Sequence, residues 1–598
     1  MAAIREAWRG LKKPVFVPAS LVIFAMIAFA VVYSGTASDA FGSLNTAITD
    51  GVGWWYVLAA TGFVLFALYC GLSRIGNIRL GDDDEKPEFG MLSWFAMLFS
   101  AGMGIGLVFY GVAEPLSHYV DPPEAGRVPG STDAAANQAM ELTLFHWGLH
   151  AWAIYVVVGL GLAYMTYRKG RPLSIRWLLE PLLGRKRVEG PIGHAIDAIA
   201  IVGTLFGVAT SLGFGVQQIS AGLEYLGWVD PDNWFVVGLI VIVTGLATFS
   251  VVTGVTKGLR WLSNINMVLA AGLALFVLLL GPTLFLLQSW VQNLGGYTQA
   301  FPKMMLRTSP FADDGWAGTW TIFYWGWWMS WAPFVGMFIA RISRGPPVAR
   351  SVSVFTAGAD TDRVPVVHVF GDSGILRQRN DGDMLAADGS VDTNTTLFHL
   401  LDGLPLGTIT SVLAIAVVVF FFVTSADSGS LVIDILATGG DLETPKVTRV
   451  YWSVLEGVAA AVLLLVGGAG SLTALQTASI ATAVPFSIVM VLACVSMLKR
   501  SATNWPPLQG ICGCRLAPVR TVSTCSRRRT RTVRPVVGPP VSATLAGLPR
   551  SSRAGAGPAP EQHFVVAVHE LPSHAVEVDP DTVPAPRGGR RRAGPAAA

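Results

Sequence analysis

The sequence predicts an all-α polytopic membrane protein, and three observations carry that reading. Of its 598 residues, 52% are hydrophobic and only 14% charged, and the mean hydropathy of +0.53 exceeds what a soluble domain can bury. Apolar runs of roughly twenty residues recur from about Phe16 to Met497, each long enough for a hydrocarbon core of about 30 Å at about 1.5 Å per residue. Basic residues gather in alternate loops between those runs, which is a topological signal. A net charge of +3 is too small to imply a nucleic-acid partner. Five cysteines are scattered except for Cys512-Gly-Cys514, shorter than a Cys-x-x-Cys motif, so neither disulfide nor metal use is expected.

The first run follows Arg5, Arg9, Lys12 and Lys13 and is too long for a signal peptide, so it reads as a retained helix with the N-terminus inside. Spans are expected at about 15–35, 52–72, 91–115, 143–166, 195–226, 233–255, 264–288, 317–341, 407–437, 448–468 and 472–498, about eleven in all. Loops with Arg74, Arg79 and Lys86, with Arg168 to Arg187, with Lys257 and Arg260, and with Arg341 and Arg344 fall inside. Loops at about 36–51, 116–142 and 226–233 fall outside.

Keeping Lys446 and Arg449 inside requires one further crossing between Arg344 and Leu406. The available window carries Arg350, Asp360, Asp362 and Arg363, each of which costs about 2.5–3.5 kcal/mol at mid-bilayer, so it should not span unaided. We read residues 345–369 as aberrant and consistent with a shifted reading frame between two compensating changes. Beyond Arg500 the composition turns to Arg, Pro, Ala, Gly and Ser, which fits either a disordered tail over 501–598 or a second frame change.

Four stretches could carry chemistry. "AGMGIG", Ala101 to Gly106, sets glycines at alternate positions inside a span, suiting either close helix packing or an unwound segment whose freed carbonyls line a site. "FHWGLHAWAIY", Phe145 to Tyr155, holds Trp147, Trp152 and Tyr155; His146 and His150 stand at i, i+4 spacing with no third ligand, which favours packed histidines over a metal pair. "TIFYWGWWMSWAPF", Thr321 to Phe334, puts Phe323, Trp327, Trp328 and Trp331 on one broad face. A cage of such faces binds a quaternary ammonium, each contributing about 0.5–2 kcal/mol when desolvated. In "FFVTSADSGS", Phe421 to Ser430, the hydroxyls either bond the preceding turn or offer hard oxygen ligands to an alkali cation; Asp427 is a candidate for function or for helix–helix hydrogen bonding.

Together with "GMGIGLVFYGVAEP" (Gly102 to Pro115) and the extended "WTIFYWGWWMSWAPFVGMFIARISRG" (Trp320 to Gly345), these motifs resemble the betaine/carnitine/choline transporter family over about 14–344 and 369–500. The resemblance implies the LeuT-type fold: twelve spans, two N-terminal helices (1–90), inverted five-helix repeats at 91–290 and 317–500 joined by an extracytoplasmic segment at 291–316, and commonly a homotrimer. It implies a substrate box of Trp147, Trp152, Tyr155 and Trp328 with Trp327 and Trp331 nearby, and Gly104 and Gly106 on the unwound backbone. It implies one sodium between Ser100, Met103, Phe421, Thr424 and Ser425. A second sodium would use two threonines four apart; here Thr204 is followed by Val208, which has no hydroxyl. Choline and carnitine carriers of the family tend to have aspartate where this chain has Gly106, so the resemblance favours glycine betaine.

The expectation is therefore a sodium-driven symporter of the cell membrane importing a trimethylammonium osmolyte from the bilayer's outer side, without other cofactors. Proton-coupled choline uptake and sodium-independent exchange are the rivals, and disruption of the ninth span would leave the carrier inactive. No nucleophile–base pair, zinc motif or phosphate loop suggests an enzyme.

Overall fold

The computed structural model describes residues 2–503 apart from 92, 95–96, 99–103, 124–127, 254–255, 313–314, 355–358 and 467–471. From residue 504 onward the expected tail lies outside the described residues, as do Ser100 and Met103. Among the described residues the fold is helical throughout, with a single isolated bridge pairing Arg79 and Pro347. Every backbone group inside a bilayer must find a partner, and helices provide one within the segment.

Helix α1 (Lys13–Val32) starts at a proline-containing first turn and buries Val15, Ala19, Ile23 and Ile27 in an i, i+4 stripe, leaving Leu21, Val22, Phe24 and Val31 exposed, as a lipid-facing side requires. Helix α2 (Ser34–Leu72) runs 39 residues, much longer than the 52–72 expected. Its polar first half is helical in place of the expected loop, because Ala37, Phe41 and Ile48 give it a buried stripe that holds the helix against the bundle.

Helix α3 (Ile105–Val120) follows Gly104, whose backbone is extended at φ −111° and ψ −178°. The loop expected up to 142 is shorter, because α4 (Asp133–Trp147) begins at a Thr132 cap whose Oγ1 accepts from Ala135 N at 3.2 Å. Gly148, at φ −90° and ψ −130°, separates α4 from α5 (Leu149–Ala163). Helices α6 (Pro191–Tyr225) and α7 (Asn233–Thr253) match the expected spans closely.

Helix α8 (Thr256–Leu280) ends at Gly281-Pro282, and α9 (Thr283–Met304) departs at 109°. The span expected at 264–288 is thus broken, and much of the segment at 291–316 is helical; the proline that cannot continue the ladder marks the bend. Helices α10 (Phe323–Ile342), α12 (Gly407–Thr438), α13 (Lys446–Val466) and α14 (Thr473–Thr503) fall where predicted. Between α10 and α12, a short helix at Val348–Ser353 precedes α11 (Ala359–Asn380), so the charged window has helical backbone on both sides of 355–358.

Eight helices among the described residues are long and apolar enough to cross a membrane, nine with the bent α8–α9 pair counted. Helix α11 is not among them, nor is α10, whose tryptophans and tyrosine score as polar on a hydropathy scale although they are buried. The packing is reciprocal between two five-helix halves: α5 lies on α10 as α11 lies on α3, and α6 on α14 as α12 on α8. The paired α6 and α12 touch each other, as do α7 and α13. That reciprocity is the signature of an inverted repeat, with α10 and α5 crossing closely where Gly336 and Gly159 leave no room for a Cβ: one at Gly336 would lie 2.6 Å from Val158.

Candidate functional site

The α5–α10 crossing brings the predicted aromatic residues together. Trp328 is their centre: its ring centroid lies 4.5 Å from Trp327 in a stack, 5.1 Å from Trp147 and 6.2 Å from Tyr155 edge to face, and 6.4 Å from Trp331. Tyr155 also meets Trp331 at 6.3 Å and Trp152 at 6.1 Å, both edge to face. All six rings are buried. Phe323 extends the α10 face by stacking on Trp327 at 5.5 Å. Stacked and perpendicular neighbours bring ring faces and edges together from two helices, the kind of surface from which cation–π sites are built.

The glycines of α3 set the fit on the third side. A Cβ at Gly106 would lie 2.5 Å from the Trp327 ring and 3.1 Å from that of Trp147; one at Gly104 would lie 3.1 Å from Trp331. Backbone here closes directly on the cage, as the alternate-glycine pattern suggested.

Two of the tryptophans are aimed by hydrogen bonds to backbone carbonyls of neighbouring helices. Ending α4 at Trp147 leaves carbonyls of the last turn without helical partners, and Trp328 Nε1 donates to one of them, His146 O, at 3.1 Å. Trp327 Nε1 donates to Gly207 O of α6 at 3.3 Å. Trp331 Nε1 is buried and has no hydrogen-bond partner among the described residues.

The sequence reasoning missed Glu114, a fully buried carboxylate on α3 directly behind the cage. Trp147 Nε1 donates to its Oε2 at 2.6 Å and the Tyr324 hydroxyl donates to the same oxygen. His146 Nδ1 lies 2.7 Å and His118 Nε2 3.4 Å from Oε1, while His146 Nε2 meets Thr321 Oγ1 at 2.9 Å. His146 is therefore tied to Glu114 and not to His150, which stacks on Trp325 at 5.0 Å beyond the Gly148 break. The available signal was an acidic residue in an apolar span, a functional candidate by default. The donor atoms of Glu114, His118 and His146 lie within 4.8 Å of one another, but the direct Glu114–His146 hydrogen bond already satisfies both groups.

The sodium candidates divide. Phe421 is buried on α12, and Thr424 Oγ1 donates to Phe420 O at 2.8 Å and Phe421 O at 3.2 Å, which is the local back-bonding that the sequence left open. Ser425 is half-buried on the next position. Thr204 is fully buried on α6, its Oγ1 without a partner among the described residues, and Val208 one turn later is buried too. Asp427 accepts from Ser250 Oγ of α7 at 2.7 Å, so it makes the helix–helix hydrogen bond that was one of its two readings.

Residues 14–505 match the model of the betaine/carnitine/choline family of transporters. The chain belongs to that family. An uncharacterised transporter of Mycobacterium tuberculosis is 72% identical over 497 residues, 83% of this chain and 84% of its own length. A glycine betaine transporter of Bacillus subtilis is 44% identical over 490 residues, 80% and 93% of the two chains. Another, of Acinetobacter baylyi, is 42% identical over 513 residues, covering 84% and 75%. The chain is thus a multi-pass membrane transporter, and the buried aromatic crossing lies inside its matched region.

Proposed function

We propose that this transporter imports glycine betaine, or a related quaternary-ammonium compatible solute, by cation symport for osmoprotection. The observation that carries the reading is the box around Trp328, in which Trp147, Tyr155, Trp327 and Trp331 meet one another by ring faces and edges, with no charged side chain between them among the described residues. A trimethylammonium group makes no hydrogen bonds and is stabilised by such faces at about 0.5–2 kcal/mol each. Trp331 Nε1, buried without a partner among the described residues, offers a donor to the solute's own carboxylate. Glycine at 106 leaves the cage without a carboxylate of its own, which suits a zwitterion better than choline. Two relatives that carry the name glycine betaine transporter support the same reading.

Sodium is the proposed coupling ion, held by Phe421, Thr424 and Ser425 with Ser100 and Met103, and Thr204 at a second position that Val208 leaves incomplete. We further propose a homotrimer in the cell membrane with its N-terminus in the cytoplasm. Proton-coupled choline uptake is the second reading, favoured by that missing hydroxyl. Residues 345–369 keep a third proposal in play: if they are a product of a shifted frame, the chain as written transports little. Uptake of labelled betaine and choline into proteoliposomes, with sodium replaced by potassium, is the test. The reading expects saturable, sodium-dependent betaine accumulation; equal accumulation in potassium would end the sodium assignment, and preference for choline would end the substrate assignment.

A further inference from the structure

Behind the cage, a chain of hydrogen bonds runs from the aromatic wall to a polar cavity. Trp147 Nε1 donates to Glu114 Oε2 at 2.6 Å, His146 Nδ1 lies 2.7 Å from Glu114 Oε1, and His146 Nε2 lies 2.9 Å from Thr321 Oγ1. Glu114 and His146 are fully buried. Thr321 also lines a cavity of about 670 Å³, together with Thr49 and Asp50 of α2, Arg307 and Ser309. Asp50 and Arg307 belong to segments expected on the outer side of the membrane, and the cavity has room and polar partners for many waters. The chain therefore has outer solvent at one end and the cage at the other.

An ionised carboxylate only accepts, so His146 Nδ1 carries the hydrogen toward Oε1, and Nε2 of the neutral ring accepts from the Thr321 hydroxyl. A proton arriving from cavity water is taken by Thr321 Oγ1 as its own hydrogen passes to Nε2. Only O–H and N–H bonds change, and the product is an imidazolium beside a carboxylate, with no net charge. No lysine or arginine forms an ion pair with Glu114 among the described residues. The other titratable groups facing the pair are His118, whose Nε2 is 3.4 Å from Oε1, and Tyr324, which donates to Oε2. The Tyr110 hydroxyl is engaged by Gln476. Glu141 of α4 lies against Gly296 of α9, and Asp372 of α11 accepts from Ser289 and Asn293 of α9, so both are engaged with α9. Arg307 stands in the cavity.

We infer that the Glu114–His146 pair is a proton-binding site supplied from the outer cavity through Thr321, and that its proton competes with a cation in the aromatic cage. With the ring neutral, the charge of Glu114 stands one hydrogen bond behind Trp147 and attracts a cation at the cage; protonation of His146 cancels it. The competition is reciprocal: a bound cationic head drives the proton off, and acid weakens binding of the head. The competition rests on the cage reading proposed above, whereas the proton site itself does not.

The test uses the purified protein in lipid nanodiscs. Calorimetric affinity for glycine betaine should rise about tenfold from about pH 5.5 to about pH 7.5, across the range where imidazoles commonly titrate, with protons released on binding. His146→Gln should flatten that profile. Thr321→Val should move it to lower pH, because the imidazolium loses its acceptor, and Thr321→Ser should restore it; these two decide the matter if His146→Gln does not fold. A flat profile in the wild type, affinity that falls as pH rises, or a profile unchanged in folded His146→Gln would overturn the competition. NMR of isotope-labelled histidine without solute reads the proton directly: the site requires an imidazole signal that titrates and is missing in His146→Gln. Its absence would overturn the site even in a protein that binds betaine. No betaine binding at any pH, with that signal present, would instead end the cage reading and the competition with it.

Discussion

At the α5–α10 crossing the groups turned inward are ring faces, and the nearest carboxylate, Glu114, stands behind them with Trp147, Tyr324 and His146 hydrogen-bonded to it. At the α12–α13 contact the order is reversed: Glu456 faces the interior with no hydrogen-bond partner among the described residues, and Asp427 has one hydroxyl. The contrast lies in how each buried acid is satisfied. An alkylammonium spreads its charge over methyl groups and is met by polarisable faces, with the acid's full charge kept one layer back.

The largest effect that would break this comparison is removal of the central ring. Trp328→Ala deletes a surface touched by Trp147, Tyr155, Trp327 and Trp331, and should lower betaine affinity by about a hundredfold or more, combining lost cation–π stabilisation with a cavity. Trp328→Phe should retain most of it, and gel filtration of both variants separates binding from misfolding. An affinity within a few-fold of wild type in Trp328→Ala would move the substrate elsewhere.

Glu114→Gln should have a smaller effect, about tenfold on KM, because the neutral amide loses charge-assisted bonds worth about 1.5–3 kcal/mol and must turn a donor toward other donors. Its role as a positioning residue is sharpened by a double-mutant cycle. If Glu114 acts through Trp147, combining Glu114→Gln with Trp147→Phe costs little more than Trp147→Phe alone; additive losses would mean that Glu114 acts by another route.

The cage was legible because its residues lie on two short stretches, and the spacing along α10 places Phe323, Trp327 and Trp331 in one stack. Glu114 was not, since the partners that define it lie 32, 33 and 210 residues away in His146, Trp147 and Tyr324. The same limit applies to Asp427, whose Ser250 partner is 177 residues upstream. Helix existence followed apolar periodicity, whereas ends were governed by contacts that no local pattern encodes. The polar start of α2 stays helical because Ala37, Phe41 and Ile48 pack, and α8 stops because of the Gly281-Pro282 step, a local signal that the apolar run concealed. Hydropathy alone would have lost α10, since the residues that make the site are those it scores as polar.

The central claim is that the cage recognises positive charge through ring faces and not merely a bulky apolar head. Competition binding of glycine betaine against 3,3-dimethylbutanoate, its isostere with carbon in place of the quaternary nitrogen, tests this directly on the purified protein. The account predicts that the isostere binds at least about tenfold more weakly, the loss of one to two desolvated cation–π contacts. Equal affinity for the two would contradict it.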